Sequence, residues 1–277
     1  MHGQAAIQMT SREFTFTQQD FDRVRALIHA HAGISLNQSK QEMVYSRLAK
    51  RLRANKLTAF SDYIALLERG NSGEREAFIN SLTTNLTFFF REAHHFSILA
   101  EHVKSRRPPI SLWCAASSTG EEAYSMAMTM AELYDTMRPP VSILASDVDT
   151  SVLEKARTGV YGPAQLEKLP QEKLRKYFIQ ESGNQARIRP EIMEMVAFRQ
   201  INLLDDRWTI QGPFDAIFCR NVMIYFDKNT QEKILRKFAP LLRRDGLLFA
   251  GHSESFHHVP DLFRLRGKTV YELAHQI

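Results

Sequence analysis

The chain has 277 residues, 44% of them hydrophobic, and its 36 Lys and Arg against 31 Asp and Glu give a formal net charge of +5. A chain of this size can bury one full α/β core together with a smaller domain. It contains no apolar run of about 18 residues, the length that a spanning helix needs, so we expect no insertion into a membrane. The mild charge is low for a nucleic-acid-binding protein and fits an acidic protein partner equally well.

The cysteines and the N-terminus predict a cytoplasmic protein. Cys114 and Cys219 each lie within an apolar strand, which favours packed, reduced thiols over a disulfide. Residues 1–4, Met-His-Gly-Gln, lack the charged-then-apolar layout of a secretory signal.

Residues 12 to about 84 are predicted to be entirely helical. A near capping box at Thr17–Asp20 begins the first helix and Gly33 ends it, while Ser39–Glu42 is a capping box for the second. Two further helices carry apolar residues at helical spacing, Phe60 to Leu67 and Phe78 to Leu82.

From Arg91 onward, strands and helices alternate, which predicts a parallel sheet covered on both faces. The candidate strands are 110–115, 141–146, 196–201, 214–219 and 246–250. A hairpin of 262–266 and 269–273 around Gly267-Lys268 should end the sheet with an antiparallel strand. Between Tyr177 and Met195, a second small hairpin around the loop 180–185 is expected to project from the sheet.

The turn after the first strand favours a ligand. Ile110 to Met128 runs from an apolar strand through small residues into an amphipathic helix, where backbone N–H groups and the helix dipole favour an anionic group. The turn has neither a dinucleotide fingerprint nor a phosphate-loop Lys, so an ordinary strand-to-helix connection remains open. Asp147 ends the second strand, about 25 residues downstream, where an acid can reach ribose hydroxyls or merely cap the next helix.

Two more strand ends are polar, Asn202-Leu203 and Arg220-Asn221. Since ligands bind at the carboxyl ends of strands in open α/β sheets, the four ends together predict a nucleoside-type pocket. A further segment, Thr83–Glu92, contains three consecutive phenylalanines, of which at least two are expected in the core. Arg91 beside these aromatic rings is a preorganised clamp for a carboxylate.

The chain resembles the chemotaxis receptor methyltransferases, which use S-adenosylmethionine to esterify glutamates on chemoreceptors. The resemblance lies in Thr-Asn-Leu-Thr-x-Phe-Phe-Arg-Glu at 84–92, Trp-x-Ala-Ala-x-Ser-Thr-Gly-Glu-Glu-x-Tyr-Ser at 113–125, Ala-Ser-Asp-Val-Asp at 145–149, Cys-Arg-Asn-Val-Met-Ile-Tyr-Phe at 219–226 and Gly-His-Ser-Glu-Ser at 251–255. It implies a Rossmann-like α/β methyltransferase domain over 86–277, with an inserted β-subdomain at about 172–200. It also implies an N-terminal all-α receptor-recognition domain plus linker over 1–85.

The resemblance further implies a role for each matching residue, with S-adenosylmethionine as cofactor and S-adenosylhomocysteine as product. Arg91 and Tyr225 would be catalytic, near the reacting methyl group. Glu122 would meet the methionyl amine, although spacing alone does not exclude Glu121. The other cofactor contacts would be Asn85, Thr87 and Arg91 beside the methyl group, Asp147 at the ribose, Asn202 and Leu203 at the adenine, and Arg220 and Asn221 along the cleft.

Two departures from the family pattern stand out. Ala123 replaces the proline usual after the paired glutamates, which affects helix entry rather than chemistry. The loop 180–185 is shorter than in members whose hairpin grips a receptor-tail peptide, so tethering to such a tail stays open.

Lys40, Arg47 and Arg51 fall along one edge of the apolar Val44–Leu52 stripe on a helical wheel. A solvated basic face is the simpler interpretation. With the cytoplasmic helical domain of a chemoreceptor as substrate, the same stripe would steer the encounter and make it sensitive to salt.

Three rival classes are less well supported. Amino-directed nucleic-acid methyltransferases carry prolines where this chain has Arg220 to Tyr225, so no nucleic-acid partner is expected. Gly251–Ser255 approaches a hydrolase nucleophile elbow without its final Gly, and the complete set of presumed catalytic positions argues against a non-catalytic cofactor sensor. The pairs His94-His95 and His257-His258 lack i, i+4 ligand spacing, so no metal is expected.

Overall fold

The computed structural model describes residues 12–274. Residues 1–4, on which the signal-sequence argument depends, lie outside this range. Among the described residues, no helix has both the length and the apolar character needed to cross a bilayer.

Four helices form the first part of the chain. They are α1 Gln18–Ala32, α2 Gln41–Ala54, α3 Phe60–Glu68 and α4 Ser72–Leu82. Their apolar faces enclose a separate core that includes Phe21, Leu48 and Phe78, all fully buried. This confirms the predicted all-α domain.

The ends of α1 follow the sequence prediction. The Thr17 hydroxyl accepts a hydrogen bond from the Asp20 N–H, and the Asp20 carboxylate accepts one from the Thr17 N–H, which completes the capping box. Gly33 ends the helix with φ +67°. A Cβ at Gly33 would lie 2.9 Å from Leu204 Cδ2, so the glycine also lets the helical domain approach the sheet domain closely.

The predicted capping box of α2 is wrong. A 3₁₀ turn at Gln38–Lys40 precedes the helix, and Lys40 at its N-cap makes no side-chain cap. The Ser39 hydroxyl instead donates to Asn37 Oδ1. Short polar side chains form such local bonds readily and thereby compete with helix capping.

The second part of the chain is a seven-stranded sheet in the order β6-β2-β1-β7-β8-β10-β9. The strands are β1 Ile110–Cys114, β2 Val141–Asp147, β6 Val196–Gln200, β7 Phe214–Phe218, β8 Leu242–Phe249, β9 Phe263–Gly267 and β10 Val270–Leu273. The first five pair in parallel and β10 pairs antiparallel with both neighbours, as predicted. The main covering helices are α5 His94–Lys104, α6 Glu121–Leu133, α7 Thr150–Thr158 and α11 Lys228–Phe238.

The inserted subdomain is larger than the predicted hairpin. β4 Phe178–Gln180 and β5 Ala186–Ile188 pair antiparallel as expected, but β3 Val160–Tyr161 adds a third strand to this small sheet. The subdomain therefore begins before residue 172, and β6 belongs to the main sheet. A strand of two residues is too short to show the alternation from which strands are predicted. Short helices connect these elements: α8 Pro163–Leu166, α9 Gln171–Tyr177 and α10 Pro190–Met193.

Candidate active site

One cleft lies between the carboxyl edge of the parallel sheet and the helical domain. All nine predicted cofactor residues line it: Asn85, Thr87, Arg91, Glu122, Asp147, Asn202, Leu203, Arg220 and Asn221. Tyr225 and Lys40 line it as well, and Ile34 to Asn37 of the helical domain close its other side. Arg47 and Arg51 are not among its lining residues. Polar strand ends that are far apart in sequence thus meet at one place.

Three backbone amides in the turn after β1 already have partners within the protein. The Ser118 N–H donates to Asp147 Oδ2 at 2.8 Å, and the N–H groups of Ser117 and Gly120 donate to backbone carbonyls. These three amides are therefore not free for an anionic ligand, whereas binding of an anionic group by the other N–H groups at the start of the helix stays a prediction. Gly120, at φ +95°, is required here, since a Cβ would lie 2.9 Å from the Tyr161 hydroxyl.

Asp147 ends β2 with its carboxylate almost fully buried against this turn. It accepts hydrogen bonds from the N–H groups of Ser118 and Asp149. Asp149, not Asp147, caps α7 by accepting from the Ser151 and Val152 N–H groups, which removes the capping alternative for Asp147. Burial raises the pKa of Asp147 to about 6 despite the two hydrogen bonds.

Opposite charges are buried together at the base of the cleft. Arg220 has a fully buried side chain, and its Nη1 lies 3.3 Å from Glu122 Oε2. Among the described residues, neither Nε nor Nη1 of Arg220 has a hydrogen-bond partner. Burial raises the pKa of Glu122 above its ordinary value, although the charge of Arg220 opposes this. Such incompletely paired charges are typical of a binding site for a ligand that carries charges of its own.

The two adjacent glutamates point in different directions. Glu122 faces the cleft and accepts a hydrogen bond from Cys114 Sγ at 3.2 Å. Glu121 is buried on another side of the helix, where it accepts from Thr119 Oγ1 and Gln165 Nε2. The geometry therefore favours Glu122 for the contact that spacing left open.

Glu254 supports the cleft, and the sequence analysis assigned it no role. Its buried carboxylate accepts the N–H groups of four residues, Gly251, Asn221, Val222 and Met223, at 2.5–3.0 Å. Asn221 adopts φ +59°. A Cβ at Gly251 would lie 2.3 Å from the side-chain Nδ2 of Asn221. The motif at 251–255 therefore shapes the Arg220-Asn221 loop. Among the described residues, no hydrogen bond joins Ser253 to His252, so the hydrolase alternative has no nucleophile pair.

Two predicted cofactor residues already use their side-chain amides in hydrogen bonds within the protein. Asn85 Nδ2 donates to Asp149 Oδ2 at 2.8 Å, and Asn202 Nδ2 donates to the His31 carbonyl at 2.7 Å. The Leu203 carbonyl accepts from Lys237 Nζ. The side-chain amides of Asn85 and Asn202 therefore already donate within the protein. These residues would contact a ligand mainly by van der Waals packing rather than by hydrogen bonds.

The mouth of the cleft carries the two predicted catalytic residues. Arg91 Nη1 donates to the Leu86 carbonyl at 2.9 Å, and its guanidinium lies 5.9 Å from the centre of the Phe88 ring. Tyr225 ends a 3₁₀ turn, and its carbonyl accepts from the Ser35 N–H of the helical domain. Only Phe89 of the three phenylalanines is a buried core residue, because Phe88 turns towards Arg91 and Phe90 is half-buried. The expectation of two core phenylalanines is wrong.

The basic residues of α2 differ in their surroundings. Arg51 forms a two-pronged ion pair with the buried Glu74, which also accepts from the Tyr63 hydroxyl. Arg47 donates to the Ser81 and Thr83 carbonyls. Both arginines thus hold α2 against α4, whereas Lys40 is exposed at the cleft. Recognition of substrate by these three residues stays a prediction.

A largely parallel sheet with a polar cleft along its carboxyl edge is typical of the Rossmann-like α/β folds that bind nucleoside cofactors. Residues 19–83 match the family description "CheR methyltransferase, all-alpha domain", and residues 85–272 match "CheR methyltransferase, SAM binding domain". The chain therefore belongs to the CheR methyltransferase family and uses S-adenosylmethionine.

Individual relatives are similar over nearly their whole length. The chain is 52% identical over 272 residues to the chemotaxis protein methyltransferase of Escherichia coli K12, covering 97% of this chain and 95% of that protein. It is 49% identical over 270 residues to chemotaxis protein methyltransferase 2 of Pseudomonas aeruginosa PAO1, covering 95% and 96%.

Proposed function

We propose that this methyltransferase esterifies glutamate side chains of membrane chemoreceptors in the cytoplasm. The names of its relatives support a role in chemotaxis. The observation that supports an acidic substrate is Arg91, an arginine at the mouth of the cleft that contacts the Leu86 carbonyl and has no carboxylate partner among the described residues.

The residues of the cleft fit three groups of the cofactor: the methionyl ammonium, the methionyl carboxylate and the two ribose hydroxyls. Glu122 would pair with the methionyl ammonium, and Nη1 and Nε of Arg220, neither of which has a hydrogen-bond partner among the described residues, would approach the methionyl carboxylate. Asp147 would accept hydrogen bonds from the ribose hydroxyls, and Leu203 with Asn202 would border the adenine. When bound, the sulfonium supplies a methyl group that is already activated for transfer.

The chain contributes positioning rather than proton transfer. A glutamate carboxylate is ionised near neutral pH, so its attack on the methyl carbon, with departure of the sulfur as the neutral thioether, would need no general base from the protein. Orientation of two reactants can contribute about 7–11 kcal/mol to lowering a barrier. Arg91 uses only one of its five N–H donors on the Leu86 carbonyl, and we expect its contact with the incoming carboxylate to be looser than a full bidentate pair. A looser contact preserves the nucleophilicity of that carboxylate.

We expect cofactor affinity to weaken in acid because of Asp147. The free protein takes up a proton on this carboxylate below its pKa of about 6, whereas ribose hydroxyls require the ionised form. The Kd for S-adenosylhomocysteine should therefore be flat above pH 7 and rise by up to about tenfold per pH unit below pH 6. Calorimetric titrations across this range measure the slope. Asp147→Asn should bind weakly with a shallower slope, and a slope equal to that of the wild-type protein would remove Asp147 from the contact.

We expect Lys40 to attract the receptor. The side chain is exposed beside the cleft, so Lys40→Glu should weaken docking of a glutamate-rich receptor fragment and reduce the salt dependence of that docking. Lys104→Glu, an equal charge change at the exposed end of α5, is the matched control. Arg51→Glu is unsuitable, because it would place a second carboxylate against the buried Glu74. If Lys40→Glu and Lys104→Glu bind the receptor fragment with equal affinity, Lys40 does not contribute to docking.

The function is tested by incubation with methyl-labelled cofactor and a panel of cytoplasmic receptor fragments. The proposal predicts label that alkali releases as methanol and that maps to glutamate residues. RNA and DNA are included as alternative acceptors. Label on nucleic acid, or alkali-stable label on other side chains, would contradict the proposal.

A further inference from the structure

Two buried acceptor atoms face each other where α5 begins. Glu92 Oε2 and His95 Nδ1 lie 3.6 Å apart, and neither has a hydrogen-bond partner among residues 12–274. His95 is fully buried and Glu92 nearly so. Neither atom takes part in the cofactor contacts proposed above.

The other ring nitrogen of His95 fixes its tautomer. Nε2 lies 2.8 Å from the carbonyl oxygen of Lys268, which can only accept, so Nε2 carries the hydrogen and donates it. Nδ1 of the neutral ring is then a bare lone pair directed at a carboxylate oxygen. Two buried acceptors with nothing between them are unfavourable. A proton on Nδ1 would form a poor bond, since 3.6 Å exceeds the usual 2.7–3.2 Å of an N–H···O hydrogen bond.

A cation between the two atoms would satisfy both, and a third ligand stands beside them. His94 is exposed, its ring centre is 4.3 Å from that of His95, and one ligand atom from each of Glu92, His94 and His95 lies within 4.8 Å of the others. Ligand bonds of about 2.0–2.1 Å in a tetrahedral zinc site place neighbouring ligand atoms roughly 3.4 Å apart. The 3.6 Å separation is close to this value.

The surroundings also resemble those of a zinc ligand set. A metal-bound histidine usually donates its second N–H to a backbone carbonyl, as His95 does to Lys268. The other oxygen of Glu92 accepts from Asn221 Nδ2 and the His252 N–H, both at 3.4 Å, and lies 3.8 Å from Nη2 of the buried Arg220, so Arg220 and the ion would share this carboxylate. Phe249 packs edge-on against the His95 ring at 5.4 Å and restricts its rotation. We propose that Glu92, His94 and His95 bind one zinc(II) ion, with a solvent water as fourth ligand.

Calorimetric titration of the metal-stripped, full-length protein with zinc chloride tests this site. We expect one ion per chain to bind at this site and His94→Ala to weaken that binding by at least about tenfold. His94 is exposed, so this variant should keep the melting temperature of the wild-type protein. His257→Ala, which removes another exposed histidine, is the matched control and should leave the affinity unchanged. Cobalt(II) should give the strong visible absorbance of a tetrahedral site in the wild-type protein and not in His94→Ala.

Two results would overturn the proposal. One is zinc binding that is equally tight in wild-type protein, His94→Ala and Glu92→Gln. The other is an absence of zinc binding by the metal-stripped wild-type protein. Neither result would affect the proposed methyl transfer, because these measurements require no cofactor and no receptor.

Discussion

Arg91→Ala should lower the rate of methyl transfer by at least about 10²-fold while the protein stays folded. The side chain contacts the protein through the Leu86 carbonyl and the Phe88 ring, both at the open mouth, so its removal exposes no buried charge. What is lost is the cation that orients the incoming carboxylate. Single-turnover transfer to a receptor fragment measures the chemical step, and thermal unfolding checks the fold.

Lys168→Ala provides a matched control for this experiment. Lys168 also lies over the Phe88 ring, at 4.6 Å, but it does not line the cleft. If the rate depends on the position of Arg91, Lys168→Ala should transfer methyl groups as fast as the wild-type protein. If it depends only on positive charge near the Phe88 ring, Lys168→Ala should be slower. Near-normal turnover of Arg91→Ala would remove this residue from the mechanism.

Glu122→Gln should weaken binding of S-adenosylhomocysteine by at least about 30-fold. Truncating one member of a buried, desolvated charge pair costs about 2 kcal/mol or more, and this substitution removes the negative partner proposed for the methionyl ammonium. It also leaves Arg220 without its contact at 3.3 Å. Calorimetry with S-adenosylhomocysteine measures the loss directly.

Glu121→Gln separates this effect from a general loss of acidic charge. Glu121 is the preceding residue and is more deeply buried than Glu122, yet its carboxylate contacts Thr119 and Gln165 away from the cleft. We expect its affinity for S-adenosylhomocysteine to match that of the wild-type protein. A larger loss in Glu121→Gln than in Glu122→Gln would reverse the assignment.

The position of the cleft was predictable because of a rule of sheet geometry. Asp147, Asn202 and Arg220 each follow an apolar strand, and the carboxyl ends of parallel strands lie along one edge. The antiparallel end of the sheet was predictable for a similar reason, since Gly267-Lys268 divides two alternating segments. Local patterns of this kind need no knowledge of distant partners.

Contacts between distant segments could not be predicted. A helical wheel places Arg51 on the surface of α2. Only the packing of α2 on α4 shows that its guanidinium forms an ion pair with Glu74. Glu254 lies in a loop without periodicity, and its four backbone donors belong to two separate segments. The i, i+4 criterion did not consider Glu92, a ligand of the proposed zinc site, because this residue lies in the turn before α5 rather than on the helix.

The direction of adjacent side chains also required coordinates. Glu121 and Glu122 begin the same helix and differ by about 100° around its axis. Sequence spacing fixes that difference but not the absolute rotation of the helix against the sheet. Packing of α6 on its neighbours determines which of the two carboxylates enters the cleft.

A crystal structure of the complex with S-adenosylhomocysteine is the most direct test of how the strand ends hold the cofactor. We expect the amino group within hydrogen-bond distance of Glu122, the ribose hydroxyls on Asp147, and the sulfur open towards Arg91 and Tyr225. A pose with the ribose away from Asp147, or with the sulfur closed off from Arg91, would contradict the account.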